Sequence, residues 1–369
     1  MLNELKKILL ITSEFPPQPG GIGNHAHQLA RYLSEHYKVT VLADRRSSDG
    51  KEESLFDDQQ SFIIKRIQRR TLILISYLNR IQASINLLKS NDLVLVSGKF
   101  PLWVGGLLSL VSNKPIVGII HGSEVQLSNS IAKKLSNWAL SRLDHVIAVS
   151  NFTLNLVDTL KLKSTSVIPN GFHKMSFEPK QIEEKNNEVL QLITVGNLTQ
   201  RKGQHNVIKA LPLLLKAYPN LIYHCVGIPT NRNQLMELAK SLNVADQVQF
   251  HGQLSEDKKL SLLQQSDIFM MLSEQTSTGD VEGFGIAILE ANALGLPAIG
   301  SLNCGIEDAI KTKESGLLVD PHDTRQIVSA VQDIITNRNQ YSQQAKAWST
   351  HFTWDKIGAK YLEVLRKFV

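Results

Sequence analysis

Twice along its length this chain alternates short runs of apolar, strand-forming residues with amphipathic helical stretches, and no other feature limits its fold as much. In the first pass KKILLIT, KVTVLAD, DLVLVSG, KPIVGII and HVIAVS read as strands. Helical segments lie between them, such as GNHAHQLARYLSEH, which puts Ala26, Leu29, Ala30 and Leu33 on one face. From Leu190 the pattern restarts, with LQLITVG, LIYHCVG, QVQFHG, DIFMML, PAIGS and GLLVD as strands between helices. Alternation of this kind builds a parallel sheet covered by helices on both faces. At 369 residues the chain also exceeds what one hydrophobic core usually serves, so two α/β domains are expected. The first covers 1–170 and closes on the Asn-Gly turn of VIPNGF. The polar stretch 174–188 reads as the linker, 190–350 as the second domain, and 351–369 as a C-terminal helix that Thr353 can cap. Ser150 or Asn151 is placed to cap VSNFTLNLVDTL in the same way.

Two cysteines, Cys225 and Cys304, are too few for a disulfide framework or a zinc pattern, and they suit a reducing cytosol. Cys225 ends an apolar strand and reads as an inert buried thiol. The apolar run in MLNELKKILLITSEF is too short for a signal peptide and has no small-residue cleavage site. PLWVGGLLSLV, at about eleven residues, falls short of the roughly 20 needed to cross a bilayer. The expectation is a cytoplasmic protein, soluble or resting on the inner face of a membrane. The net charge of +6 is uneven: residues 1–170 carry 20 Lys+Arg against 13 Asp+Glu, the remainder 20 against 21. A basic first half suits an anionic partner. Nucleic acid is not that partner, for there is no aromatic-studded basic sheet, zinc pattern or basic helix.

Residues 279–297, GDVEGFGIAILEANALGLP, carry the most chemical information. Glu282 opens a Gly-Phe-Gly turn before an apolar helix, and Glu290 follows eight residues later. Gly283 and Gly285 allow close backbone approach and leave N–H groups at a helix N-terminus, which suits a phosphate. Glu290 needs a polar partner on an apolar helix, and a ribose diol is one candidate. Leu296-Pro297 is placed to end that helix. A capped core helix with a salt-bridged Glu is the plain alternative. A second stretch, LQLITVGNLTQRKG, supplies a buried strand, Gly196, a polar loop and the cations Arg201 and Lys202 before a helix start at Gly203. Strand, glycine, two cations and helix start together make a seat for phosphate.

The pattern G-x-L-x-x-x-K-G (Gly196, Leu198, Lys202, Gly203), together with E-x7-E (Glu282, Glu290), resembles retaining, nucleotide-sugar-dependent glycosyltransferases of family 4. The resemblance runs from residue 8 to about 365. It implies the GT-B fold, two Rossmann-like α/β domains facing across a cleft, with a terminal helix that commonly crosses back to the first domain.

Gly21-Ile22-Gly23-Asn24-His25-Ala26 nominally fits the dinucleotide fingerprint, with Asp44 about 20 residues on, and this supports a rival NAD-dependent enzyme. The fingerprint needs its first glycine directly after the strand, whereas a proline-rich loop from Ser13 to Gly20 intervenes. In the resembled family, Gly20-Gly21 belong to a glycine loop that offers N–H groups to phosphate or acceptor. His25 and His27, two apart on a helix, point roughly 200° from each other and cannot share a metal ion. One is expected to pack or cap and the other to be solvated. His121 ends a buried strand, where open α/β sheets place ligand groups. It matches the family histidine at the cleft, and Glu124 is close enough to orient its loop. The loop Ser301–Asp308 reads as a helix start capped by Glu307 or Asp308 and is left outside the site. Between 65 and 80, Lys65, Arg66, Arg69, Arg70 and Arg80 are interleaved with apolar residues. That spacing leaves two readings, an interfacial helix on anionic lipid or a core helix with a solvated basic end.

By resemblance, Arg201 and Lys202 neutralise the diphosphate and Glu290 binds the ribose. Glu282 and the backbone of Gly283, Phe284 and Gly285 hold the donor sugar, and Gly20, Gly21 and His121 serve the acceptor side. The reaction implied is transfer of a hexose from GDP-mannose or a UDP-sugar to a glycan or lipid-linked acceptor, with retention and without a metal or cofactor. A GT-B nucleotide-sugar epimerase, an NAD-dependent enzyme and a two-domain binding protein are the rival functions.

Overall fold

The computed structural model describes residues 5–18, 20–69, 73–173 and 189–369; the linker expected at 174–188, and Arg70 within the basic stretch, lie outside these. Through their contacts the residues form two units, Met1–Gly171 with Trp354–Val369, and Phe172–Thr353.

The first unit runs β1 (Lys7–Thr12), α1 (Gly21–Ser34), β2 (Lys38–Arg45), α2 (Lys51–Asp57), β3 (Ile63–Gln68), α3 (Ile73–Leu88) and β4 (Leu93–Ser97). It continues with α4 (Lys99–Leu108), β5 (Ile116–Ile120), α5 (Ser130–Arg142), β6 (His145–Ala148), α6 (Asn151–Asn155) and β7 (Thr165–Val167). The sheet is parallel in the order β3-β2-β1-β4-β5-β6-β7, with Ile8 level with Val39 on one side and Leu93 on the other. The strands β4, β5 and β6 are buried from end to end, as a sheet covered on both faces requires. Ser150 caps α6, accepting from the Thr153 N–H.

Two edge strands were not expected from the sequence. β3, IIKRIQ, is half-exposed, and an edge strand tolerates the cations that made this stretch look like a basic helix. β7 is too short to leave a pattern. The stretch 65–80 is therefore not one interfacial helix: Lys65 and Arg66 lie on β3, and Arg80 lies on α3. Nor are Arg66 and Arg80 solvated, whereas Arg69 is 62% exposed. Arg66 grips the Asp57 carboxylate through Nε and Nη2, at 3.0 and 2.6 Å. Arg80 is bonded to Asp44 in a buried pair and lies 4.5 Å over the Phe100 ring.

The second unit repeats the plan. It runs β8 (Gln191–Val195), α7 (Gln204–Leu214), β9 (Ile222–Val226), α8 (Arg232–Ser241), β10 (Val248–Gly252), α9 (Glu256–Gln265) and β11 (Ile268–Met271). Then come α10 (Ile286–Ala293), β12 (Ala298–Ser301), β13 (Gly316–Val319), α11 (Thr324–Thr336) and α12 (Arg338–Ser349). Its order, β10-β9-β8-β11-β12-β13, again reverses between the first and fourth strands, which opens a ligand crevice at their carboxyl ends. Leu192, Ile208, Leu211, Tyr223 and Met270 centre the core. α10 ends three residues before the expected proline stop. Gly295 turns left-handed at φ +80°, its N–H reaches the Asn292 carbonyl, and the Leu296 N–H reaches that of Ala291.

The chain ends in α13 (Trp354–Leu365), which packs with the first unit against α1. Gly358 is needed there: a Cβ would lie 2.4 Å from the Tyr32 ring.

Asp44 and Arg80 are 2% and 4% exposed, so among the described residues removing Arg80 leaves the buried Asp44 with only the exposed Arg69 at 3.7 Å. Arg80→Met should lower unfolding stability by about 3 kcal/mol, whereas Arg80→Met with Asp44→Asn should cost clearly less. Urea denaturation of the three proteins measures the difference, and equal losses would contradict it.

Candidate functional site

At the end of β8 the chain passes through Gly196 into a 3-10 turn, Gln200–Lys202, and then into α7. Gly203 joins the turn to the helix at φ +73°, and a Cβ there would sit 1.7 Å from the Leu272 carbonyl oxygen. Only glycine permits that approach of the turn to the end of β11. The Lys202 stem runs along Gly196, 3.2 Å from where a Cβ would be, and its ammonium reaches Glu282 Oε2 at 2.7 Å. Arg201 binds the same oxygen and also meets Asp280 through Nε at 3.1 Å. Arg201, Lys202 and Glu282, remote in sequence, thus converge on one point. The cations expected to be open to a diphosphate are already paired with a carboxylate. Burial pulls the Glu282 carboxyl up, but Lys202, Arg201 and the Gly285 N–H outweigh it, and its pKa lies below the ordinary 4.5.

The Gly285 N–H was expected to be open to a phosphate, yet it donates to Glu282, and Gly285 is the left-handed N-cap of α10 at φ +93°. The Phe284 ring is buried against Phe352, so only its backbone can serve a ligand. Glu290 lies on the second turn of α10, and its polar partner is Lys259 of α9 at 3.8 Å. Burial raises the Glu290 pKa and Lys259 opposes the rise.

Sequence reasoning missed three contributors. Asp280 and Glu274 stand on the loop after β11 without any periodic signal. Gly305 lies in the Ser301–Asp308 loop that had been left outside the site. Its N–H donates to the Glu282 carbonyl at 2.9 Å, and a Cβ on it would lie 1.9 Å from the Gly283 carbonyl oxygen. The loop therefore forms the floor under Glu282 and Gly283. Within it Glu307 accepts from the Asn303 N–H, but no side chain caps the short helix Gly305–Asp308, so the capping expected of that acidic pair is not what it does.

Gly20, Gly21 and His121 belong to the first unit. Gly21 opens α1, and the space where its Cβ would go is empty, whereas a Cβ on Gly20 would meet Glu14. His121 follows β5; its Nε2 pairs with Ser97 Oγ at 3.0 Å and its N–H donates to Glu124 Oε2 at 3.0 Å. Its ring stands edge-on to His25 at 5.0 Å, and His25 Nε2 pairs with the Tyr361 hydroxyl of α13 at 3.0 Å. Burial lowers the His121 pKa to about 4, and burial with His121 beside it holds the His25 pKa well below 6.5, so both imidazoles are neutral at pH 7. Glu124 is buried too, and burial lifts its carboxyl to about 7. His27 is not the solvated member of its pair: it bonds Gln60 at 2.8 Å among Phe15, Phe56 and Phe62. Asp44, the acid of the dinucleotide reading, is held by Arg80 and Arg69 rather than left for a ribose.

The sequence profile described as Glycosyl transferases group 1 matches residues 176–349, and Glycosyltransferase Family 4 matches 19–174. The chain belongs to the family 4, group 1 glycosyltransferases. This glycosyltransferase is 25% identical, over 98% of both chains, to the GDP-mannose-dependent alpha-(1-6)-phosphatidylinositol monomannoside mannosyltransferase of Mycobacterium tuberculosis. It is 23% identical to a glycogen synthase of the same organism, over 97% of this chain and 94% of that one. Its fold matches sucrose-phosphate synthase from Thermosynechococcus elongatus (TM-score 0.82, 20% identity, 98% of each chain covered). Anabaena HepE, solved with UDP and glucose, gives a TM-score of 0.81 at 19% identity, over 98% of this chain and all of that one. The two parallel α/β units are the Rossmann-like domains of the GT-B fold. Among the described residues no helix is long and apolar enough to cross a membrane.

The buried His121 gives the glycosyltransferase a definite acid response. Its pKa falls from 6.5 to about 4 on folding, so between those values the unfolded chain binds a proton that the folded one refuses. Stability is therefore lost as pH falls through that window, by about 1.4 kcal/mol per pH unit for this group. Urea midpoints measured from pH 7 to 4 should show a shallower decline in His121→Asn; an unchanged slope would mean that His121 titrates normally.

Proposed function

We propose that this glycosyltransferase moves a hexosyl unit, mannose from GDP-mannose in the reading its relatives favour, to a lipid-linked or glycan acceptor. The anomeric configuration is retained and no metal is used. The observation that carries the reading is the convergence of Arg201 and Lys202 on Glu282 beside Gly196 and the start of α10. Breaking the anomeric C–O bond leaves extra negative charge on the diphosphate and an oxocarbenium-like sugar. Arg201 and Lys202 have donors beyond those used by Glu282 and can receive the leaving oxygens as that charge develops. A fixed donor of this kind contributes about 3 kcal/mol to the transition state. Glu282, held ionised by the same cations, is an acceptor for sugar hydroxyls. Glu290 is placed to take a ribose hydroxyl, with Lys259 holding its charge when the donor is away. Gly20, Gly21 and the neutral His121 serve the acceptor and the sugar. No side chain stands out as a covalent nucleophile, which favours front-face attack within an ion pair.

The test is transfer from GDP-mannose, UDP-glucose and UDP-N-acetylglucosamine in the presence of EDTA, with product stereochemistry read by NMR. Lys202→Ala should lower turnover by about 100-fold or more while the protein stays folded. Normal turnover would sink the cation role, inversion would exclude front-face attack, and loss in EDTA would restore a metal. Release of an altered nucleotide sugar, with no transfer, would favour the epimerase.

Peripheral contact with an anionic membrane on the cytoplasmic side rests on a different surface from the one the sequence suggested. The start of α5 leaves Ile131 and Leu135 exposed at 76 and 37%, with Lys133 and Lys134 exposed between them. Apolar residues beside cations suit a headgroup boundary. The glycosyltransferase should sediment with phosphatidylglycerol-containing vesicles and not with phosphatidylcholine alone, and Lys133→Glu with Lys134→Glu should release it. Equal binding by that variant would rule the surface out.

A further inference from the structure

Glu274 lies outside every motif, and its side chain makes no contact with Arg201 or Lys202. It lies just beyond β11, where the strand end and the cation-bearing turn lock together. Leu272 presents its carbonyl to Gly203 so closely that a Cβ would overlap it, and the same carbonyl accepts from Asn206 Nδ2 at 3.1 Å. The Ser273 carbonyl accepts from Ser301 Oγ at 2.6 Å, which ties this strand end to β12. The Glu274 N–H then donates to the Arg201 carbonyl at 3.2 Å.

The Glu274 carboxylate completes the clamp. Oε1 accepts from Gln200 Nε2 at 2.9 Å and faces His205 Nε2 at 3.2 Å. Oε2 accepts from Asn206 Nδ2 at 3.2 Å, with His322 Nε2 at 3.6 Å. One side chain thus gathers the residue before Arg201, the first turn of α7 and the segment after β13. The side chain is 13% exposed, so these bonds form out of bulk water, where they hold direction best. A carboxylate is suited to the task because it has acceptor sites for several donors at once. Asp280 also touches Arg201, but its side chain is 49% exposed and grips the guanidinium rather than the backbone.

We infer that Glu274 is the positioning residue that sets the Gln200–Lys202 turn so that Arg201 and Lys202 present their charges together to the donor's diphosphate. The inference rests on the diphosphate role given above to those cations. With Arg201 held through its carbonyl by Glu274 and through its guanidinium by Glu282 and Asp280, the turn has little freedom left. Removing the carboxylate frees the Gln200 end. The cations remain but lose their shared aim, and contacts to the nucleoside and first phosphate are untouched.

The experiment compares nucleotide binding by calorimetry, using GDP against GMP and UDP against UMP, in wild type, Glu274→Ala and Glu274→Gln, alongside kcat and KM for transfer. The wild type should prefer the diphosphate of its own base. Glu274→Ala should reduce that preference by about tenfold, the loss of one charge-assisted bond, while monophosphate affinity holds. Its kcat should fall with the acceptor KM unchanged, and Glu274→Gln, which keeps one acceptor oxygen, should lie between. Should Glu274→Ala fail to fold, Glu274→Gln alone decides on the same ratio. Equal loss of both nucleotides, or an unchanged ratio, would reduce Glu274 to a purely structural residue and overturn the inference. A wild type with no preference for diphosphate over monophosphate would instead overturn the diphosphate role of Arg201 and Lys202, and this inference with it.

Discussion

A carboxylate held between two cations organises the second unit. Glu282 accepts from Arg201 and Lys202 and takes the Gly285 N–H, while its carbonyl receives the Gly305 N–H. Three segments separated by up to about a hundred residues are thereby fixed around one point. The arrangement holds because burial would otherwise neutralise the acid; the paired cations keep it charged, and the charge keeps the cations in place. The backbone permits it only where Cβ atoms are missing. At Gly203 and Gly305 a main-chain oxygen occupies the space a side chain would need. Charge pairing sets the chemistry of the site, and glycine sets how closely its walls approach.

The first unit uses the opposite electrostatics. His25, His121 and Tyr361 form a buried, uncharged series: His25 Nε2 pairs with the Tyr361 hydroxyl, the two imidazoles meet edge-on, and His121 pairs with Ser97. Burial holds the imidazoles neutral, and a neutral imidazole can donate or accept without bringing a charge against a sugar. Because Tyr361 comes from the last helix, the surroundings of His121 depend on residues more than two hundred positions away. The contrast is one of paired charge in the second unit and neutral hydrogen bonding around His121 in the first.

The elements that could be read from the sequence are those whose pattern is local. Buried strands such as β4 and β5 are continuous apolar runs, Ser150 caps α6 as its position suggests, and the motifs around Gly196 and Glu282 mark strand-to-helix turns. What could not be read is what depends on a partner. β3 looked like part of a basic helix because its cations are tolerable only at an edge and only beside Asp57. One of His25 and His27 was expected to be solvated, yet both pack, because the rings around His27 come from Phe15, Phe56 and Phe62 outside its helix. α10 seemed to run to Pro297, yet the left-handed Gly295 ends it first, since satisfying the last carbonyls requires a residue without a Cβ.

The sequence by itself determined the two-fold strand–helix alternation, the placing of Arg201, Lys202 and Glu282 at turns and of Glu290 on an apolar helix, and the family to which the chain belongs. Periodicity and glycine placement are properties of neighbouring residues, and the backbone obeys them locally. The tertiary structure alone decided that the cations share one carboxylate, that Lys259 is the partner of Glu290, and that the Gly305 loop lies beneath the site. It also joined Glu274 to the cation-bearing turn and α13 to His25. Those are meetings of residues distant in the chain, set by the parallel order of strands and by the cost of leaving a buried charge or donor without a partner.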